Sequence, residues 1–206
     1  MVKIKICGIT NKEDALDAAR LGADMLGFVF YKGSKRFVKP EIARDIIDFI
    51  PASVAKVGVF VDQKNEEVLA IAEEAGLDIL QFHGSESAGY CAYFSPRFKV
   101  MKAFRIKDRM SFKGVNKYNT DYYLFDTHVE GSAGGTGKSF DWDLLKDMHI
   151  LKSFFVSGGL NASNVGRAIG EFTPYGVDAS SSLEISPGKK DLGLVKKFIE
   201  EARRAG

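Results

Sequence analysis

The sequence predicts an α/β fold closed into a (β/α)8 barrel (a TIM barrel), and three observations lead there. Short apolar runs alternate with helix-like segments eight times in 206 residues. Several runs are apolar throughout rather than alternating, as parallel strands covered on both faces should be. Two of the last runs break into Gly or Ser before a helix, the arrangement from which such barrels build a phosphate site after strands 7 and 8. The alternative, an open doubly wound sheet, would normally carry Gly-x-Gly-x-x-Gly after its first strand. Cys7-Gly8-Ile9-Thr10 stands there instead. With no linker or composition shift, residues 1–206 read as a single catalytic domain at the short end of the barrel range.

The runs that read as strands are Lys3–Cys7, Met25–Phe30, Val54–Val61, Ile79–Phe82, Phe98–Phe104, Tyr122–Asp126, Ser153–Val156 and Tyr175–Ala179. Lys12–Leu21 places its apolar residues at helical spacing and stops at Gly22. Pro40–Ile50 begins with Pro, whose missing N–H costs nothing in a first turn. Asn65–Ala75 stops at Gly76, and Asp191–Arg204 is the last helix. Shorter helices are expected at Glu86–Phe94, Met110–Lys117, Trp142–Met148 and Ala162–Glu171, the last with Asn161 as its N-cap.

Bulk properties exclude several classes. Hydrophobic residues make up 45% of the chain, enough for one substantial core. Lys plus Arg number 29 and Asp plus Glu 27, a near-balance with no blanket attraction to nucleic acid or an anionic membrane. Two cysteines form neither a disulfide framework nor a zinc set, and no run approaches the roughly 20 apolar residues of a membrane helix. Met1–Lys5 alternates charged and apolar residues without a signal-peptide core, so a cytoplasmic location is expected.

In a barrel the strand ends face the active site. Cys7 ends strand 1 immediately before Gly8, and position alone leaves it open between a small buried hydrophobe and a functional thiol. Cys91, inside a helix-like segment, reads as packing. Asp126 follows four apolar or aromatic residues on strand 6, where an unpaired carboxylate would be costly to bury. Asp178 occupies the corresponding place on strand 8, while Gln81 and His83 share one side of strand 4. In Lys32-Gly33-Ser34-Lys35-Arg36-Phe37, Arg36 could clamp a carboxylate with two parallel bonds. Gly158 and Gly159 open φ > 0 and let a ligand approach the backbone, and Ser180-Ser181 form the matching turn after strand 8. Glu130–Ser139, including Gly135, lacks the Walker spacing and reads as a Gly-rich lid that lends N–H groups to a ligand.

Taken in order, Lys5-Ile6-Cys7-Gly8-Ile9-Thr10, Gly27-Phe28-Val29-Phe30, Ser34-Lys35-Arg36, Gln81-Phe82-His83-Gly84, Gly134-Gly135-Thr136-Gly137-Lys138, Phe140-Asp141-Trp142, Ser157-Gly158-Gly159-Leu160 and Pro187-Gly188-Lys189-Lys190-Asp191 resemble the phosphoribosylanthranilate isomerase family along the whole chain. The resemblance implies a single (β/α)8 barrel of tryptophan biosynthesis. It implies a phosphosugar substrate, an Amadori rearrangement without metal or cofactor, and a monomer or homodimer. It also implies Cys7 as general base, Asp126 as general acid and Arg36 beside the anthranilate carboxylate. Two departures stand out: Ser182 where the family usually has Gly, and Phe82 where it usually has Leu.

The chemistry asks for the same parts, an acid for the ring oxygen and a base for the C2 proton. A thiolate base is expected to need a pKa below the free value of about 8.5. Cys7 would then set the acidic limb of the pH profile and Asp126 the basic one. Rival readings are another phosphosugar enzyme on the same barrel, an FMN-binding oxidoreductase, or a phosphate-binding module without catalysis.

Overall fold

The computed structural model describes residues 1–106, 108, 111, 113–126, 150 and 152–206. Eight parallel strands close a barrel in sequence order: β1 (Lys3–Cys7), β2 (Met25–Val29), β3 (Ala55–Phe60), β4 (Ile79–Phe82), β5 (Lys99–Arg105), β6 (Tyr122–Asp126), β7 (Ser153–Ser157) and β8 (Gly176–Ala179), with β8 back beside β1. β1, β4 and β6 match the expected spans, and the others differ by one or two residues. Outside the strands lie α1 (Lys12–Arg20), α2 (Pro40–Ile47), α3 (Asn65–Ala75), α4 (Ala88–Phe94), α5 (Val165–Phe172) and α6 (Leu192–Ala205). No helix among the described residues is long and apolar enough to cross a membrane.

Successive strand residues point to opposite faces, and this sorts the sequence into two cores. Met25, Val57, Ile79, Met101, Leu124 and Phe155 fill the inside of the barrel. Ile4, Ile6, Leu26, Phe28, Leu80, Phe82 and Val156 face outward onto the helices. A Cβ on Gly176 would come within 2.2 Å of the Phe155 ring, so this glycine lets a phenylalanine plug the barrel. Phe82, the departure from Leu, is fully buried beneath α4, its ring 5.0 Å from Phe94 and 5.2 Å from Tyr90.

At the floor, where the strands begin, one clamp recurs. Asp24, Asp78 and Asp121 each precede an even-numbered strand. The carboxylate of each accepts a backbone N–H from the preceding strand, of Ile4, Lys56 and Val100 in turn, at 2.8–2.9 Å. The backbone N–H of each donates to the carbonyl of that same partner residue. Backbone and side chain together thus fix the register of β1 with β2, β3 with β4 and β5 with β6.

Three expectations change. Pro40 does open α2, but the helix stops at Ile47 and continues only as a turn. Of the helix expected at Met110–Lys117, the described residues form a 3₁₀ turn at Val115–Lys117. Asn161 does not cap α5. Its Oδ1 accepts from Ser163 N–H at 2.8 Å, and its carbonyl receives the N–H of Asn164 and Val165. The short polar run Asn161–Asn164 spends its hydrogen-bonding groups on a turn of its own, and the helix starts only at Val165. The segments Glu130–Ser139, with Gly135, and Trp142–Met148 lie outside the described residues.

Candidate active site

The strand ends surround a cavity of about 420 Å³ lined by Cys7, Arg36, Gln81, His83, Asp126, Gly158, Gly159, Asp178, Ser180 and Ser181. These are the candidate site residues of the sequence, except Gly135. Their convergence follows from parity: Cys7, Gln81, Asp126 and Asp178 lie on the inward face of four strands, above the apolar plug.

Cys7 sits in a slot made by its neighbours. A Cβ on Gly27 would lie 2.7 Å from the thiol sulfur, so β2 must carry Gly opposite the thiol. Beneath it Lys5 is fully buried and donates from Nζ to Asp178 Oδ1 at 2.9 Å, while Asp178 Oδ2 accepts from Ser157 Oγ at 3.1 Å. Burial works against the Lys5 charge, yet Asp178 and Cys7 hold its pKa above the usual value. Burial also pushes the Cys7 thiol up, and Asp178 adds to that push. The opposing pull of Lys5 and Lys190 does not cancel it. The expectation of a lowered thiol pKa is therefore corrected. The thiolate is the scarcer form at neutral pH and, once formed, the stronger base.

Asp126 is oriented from the side. Gln81 Nε2 donates to His83 Nδ1 at 3.1 Å, which leaves the ring proton on Nε2, 3.1 Å from Asp126 Oδ2. The buried Oε1 of Gln81 has no hydrogen-bond partner among the described residues, although Gln81 lines the cavity. A buried amide oxygen left in this way suits a ligand hydroxyl.

Arg36 already holds a carboxylate of the chain itself. Its Nε and Nη2 donate to Glu184 Oε2 at 3.1 and 2.7 Å. The turn that brings it to the mouth closes with Phe37 N–H to Ser34 O and Val38 N–H to Val29 O. Gly8, at φ +82°, lets it approach, since a Cβ there would meet Ser180 Oγ at 2.9 Å and Arg36 Cγ at 3.1 Å.

The two turns behave as their sequences suggest. Gly158 and Gly159 take φ of +95° and +71°, and a Cβ on Gly159 would meet nothing within 4 Å. Ser182, the second departure, adopts no left-handed backbone, so Gly is not required here. Its hydroxyl donates to the Leu160 carbonyl and ties the turn after β8 to the turn after β7. Cys91 is fully buried in α4, as expected of a packing residue, and burial pushes its thiol up to about 12.

Sequence reasoning missed Lys5, Ser157, Glu184, Lys190 and Arg105, the last an exposed cation lining the same cavity. Lys5 carried a signal: it shares the inward parity of Cys7, two residues earlier on one strand.

Among the described residues no cluster suited to a metal ion occurs. A closed (β/α)8 barrel with a thiol, a carboxylate and an arginine around one cavity, next to two open turns, defines the class: a barrel enzyme equipped for acid–base work on an anionic substrate. The family follows from comparison with known proteins. Residues 4–201 match the family model for N-(5'phosphoribosyl)anthranilate (PRA) isomerase. The N-(5'-phosphoribosyl)anthranilate isomerase of Thermotoga neapolitana is 47% identical over 204 residues, covering 98% of this chain and 99% of that protein. The crystal structure of phosphoribosyl anthranilate isomerase from Thermotoga maritima superposes with a TM-score of 0.94 at 41% identity, covering 99% of this chain and 100% of that one. A phosphoribosyl anthranilate isomerase in complex with reduced 1-(o-carboxyphenylamino)-1-deoxyribulose 5-phosphate gives 0.89 at 39% identity, covering 99% and 100%. The chain belongs to the N-(5'-phosphoribosyl)anthranilate isomerase family.

Proposed function

We propose that the mouth of this barrel carries out the isomerisation of its family, with Cys7 as general base and Asp126 as general acid. The reaction converts N-(5-phosphoribosyl)anthranilate to 1-(2-carboxyphenylamino)-1-deoxyribulose 5-phosphate, a step of tryptophan biosynthesis. The single observation that carries the assignment is that thiol and carboxylate line one cavity together with an arginine and the paired turns.

Asp126 protonates the ring oxygen as its bond to C1 breaks, and the aniline nitrogen supplies the electron pair that forms the C=N bond. Cys7 thiolate then takes the C2 proton, giving an enaminol. A proton added at C1 and loss of the C2 hydroxyl proton give the ketone. No electrons leave the substrate, so the rearrangement requires no redox group. His83, on one oxygen of Asp126, fixes the plane of that carboxyl group. Arg36, held by Glu184, faces the anthranilate carboxylate. The backbones of Gly159, Ser180 and Ser181 bind the phosphate, and Gln81 Oε1 accepts from a sugar hydroxyl.

Purified protein incubated with N-(5-phosphoribosyl)anthranilate should form the deoxyribulose product, and the gene should restore growth to a tryptophan auxotroph lacking the isomerase. Failure of both with folded protein would overturn the reading.

A further inference from the structure

The motif Pro187-Gly188-Lys189-Lys190-Asp191 has no part in the steps above, yet it builds one arm of a short antiparallel hairpin, β9 (Glu184–Ser186) with β10 (Lys189–Lys190). The hairpin is pinned to the loop after β1 and to the first turn of α1. Lys190 N–H donates to Asp14 Oδ2 at 2.7 Å, and Thr10 Oγ1 donates to the Gly188 carbonyl at 2.5 Å. From there the Lys190 side chain, 2% exposed, runs under the mouth. Its Nζ donates to the Cys7 carbonyl at 2.5 Å, the Ser180 carbonyl at 3.3 Å and Glu184 Oε1 at 3.0 Å. An ammonium has three N–H groups, and here each has its own acceptor. Glu184, its side chain 3% exposed, carries the contact onward to Arg36. Burial alone would raise the Glu184 pKa, but Arg36 and Lys190 hold it below the usual value, so the carboxylate is charged.

We propose that Lys190, acting with Glu184, is the positioning residue that holds the base, the phosphate turn and the carboxylate clamp in one arrangement. The inference rests on the roles proposed above for Cys7, Ser180 and Arg36. One buried cation reaches the backbone of the first two and, through a single carboxylate, the guanidinium of the third. A plain structural cross-link would need one of these contacts. Three contacts to three different parts of one reaction imply coordination among them. An arginine could not replace the lysine, because a planar fork cannot serve three acceptors disposed around one nitrogen.

The test compares Glu184→Gln and Lys190→Met with Lys189→Met, which removes ion pairs to the exposed Glu13 and the buried Asp14 from the same hairpin. Glu184→Gln keeps its shape and loses the charge that aims Arg36, so KM should rise roughly tenfold or more, with kcat little changed. Lys190→Met should lower kcat and shift the thiol limb of the pH profile upward. The charged groups around that thiol are Lys5 on β1, Asp178 on β8 and Lys190 on β10, and the variant removes one of the two cations. Lys190→Arg should restore the limb but not kcat. Lys189→Met should stay within about twofold, as surface changes do. Lower melting temperatures with wild-type KM and an unmoved limb in both site variants would overturn the proposal. If Lys190→Met does not fold, Glu184→Gln decides, and an unchanged KM overturns it. Cys7→Ser and Arg36→Met measured alongside separate the two levels. If these lose activity while the hairpin variants do not, only this inference fails. If they keep wild-type kinetics, the roles themselves fail.

Discussion

The two ends of the barrel use the same residue types for opposite purposes. At the floor the carboxylates of Asp24, Asp78 and Asp121 accept backbone N–H groups of neighbouring strands, and Lys3 and Arg203 pair with Asp24 as Lys56 does with Asp78. At the mouth the carboxylates stand in chains that end on a reactive group: Ser157–Asp178–Lys5 under the thiol, Gln81–His83–Asp126, and Lys190–Glu184–Arg36. The floor also holds the larger cavity, about 610 Å³ against about 420 Å³ at the mouth. Its lining includes Tyr122 and Tyr175, stacked at 5.4 Å, with the Tyr122 hydroxyl pushed up to about 12 by burial and by Tyr175. Cavity size therefore does not locate the chemistry here. What separates the two ends is whether a chain of paired groups serves backbone alone or reaches a side chain placed to transfer a proton or to hold the substrate.

The sharpest break in that contrast should come from the proton-transfer pair. Cys7→Ser keeps the shape and loses the acidity, and Asp126→Asn removes the proton donor. Each should cost about 10²–10⁴-fold in kcat, with KM and melting temperature close to wild type. The pH profile adds a signed test. Burial holds the thiol above its usual value, so the thiolate that the working state needs is the minority form at neutral pH. In a bell-shaped plot of kcat/KM the alkaline limb then belongs to Cys7 and lies above the usual thiol value. An alkaline limb near neutrality would sink this assignment.

Smaller losses are expected from the binding groups. Arg36→Met gives up charge-assisted bonds worth about 1.5–3 kcal/mol, so kcat/KM should fall roughly 10–150-fold. A loss of less than about twofold would remove Arg36 from the carboxylate site. Gly159→Val puts a branched side chain on a φ of +71° and fills the open side of the turn. KM should rise on the order of tenfold, the cost of one weakened phosphate contact, and an unchanged KM in a folded variant would move the phosphate elsewhere.

Much of the mouth was legible because β-strand parity is legible. Once Lys3–Cys7, Ile79–Phe82 and Tyr122–Asp126 are strands, Cys7, Gln81 and Asp126 must share the barrel interior. The long-range partners at the mouth were not legible, because they lie far away in sequence. Arg36 and Glu184 are 148 residues apart, and Lys190 and Cys7 183. The hairpin at Glu184–Lys190 is too short to leave a periodic signal, so a motif was visible there while its geometry was not. The Cys7 pKa was misjudged for a related reason. The need for a thiolate could be read from the chemistry, but the burial that opposes it comes from Gly27 and from residues on other strands. At Asn161, local side-chain bonds competed with the helix start and won, which the cap rule alone does not foresee.

The mildest expected effect belongs to the floor and tests its side of the contrast. Asp24 joins three parts of the chain: Lys3 Nζ at 2.9 Å, the Ile4 N–H at 2.9 Å and Arg203 Nη2 at 2.6 Å. Arg203 also donates to the Val2 and Gly22 carbonyls, so this carboxylate fastens α6 to the start of β1. Asp24→Asn keeps the size and one acceptor oxygen but loses the charge. Bonds to charged groups of this kind are worth about 1.5–3 kcal/mol, which for a chain of this length is a drop of about 3–12 °C in Tm. Burial alone would raise the Asp24 pKa, but the Ile4 N–H, Lys3 and Arg203 hold it below the usual value. A depressed carboxylate pKa stabilises the fold fully above its unfolded value of about 3.9 and loses that contribution as pH falls through the folded value. The Tm gap between wild type and Asp24→Asn should therefore be widest at neutral pH and shrink on acidification below about pH 4. Throughout, kcat and KM should stay at wild-type values, because no atom of Asp24 reaches the mouth. A gap that does not change with pH would show that shape and not charge holds this corner. A fall in kcat would show that the two ends of the barrel are coupled.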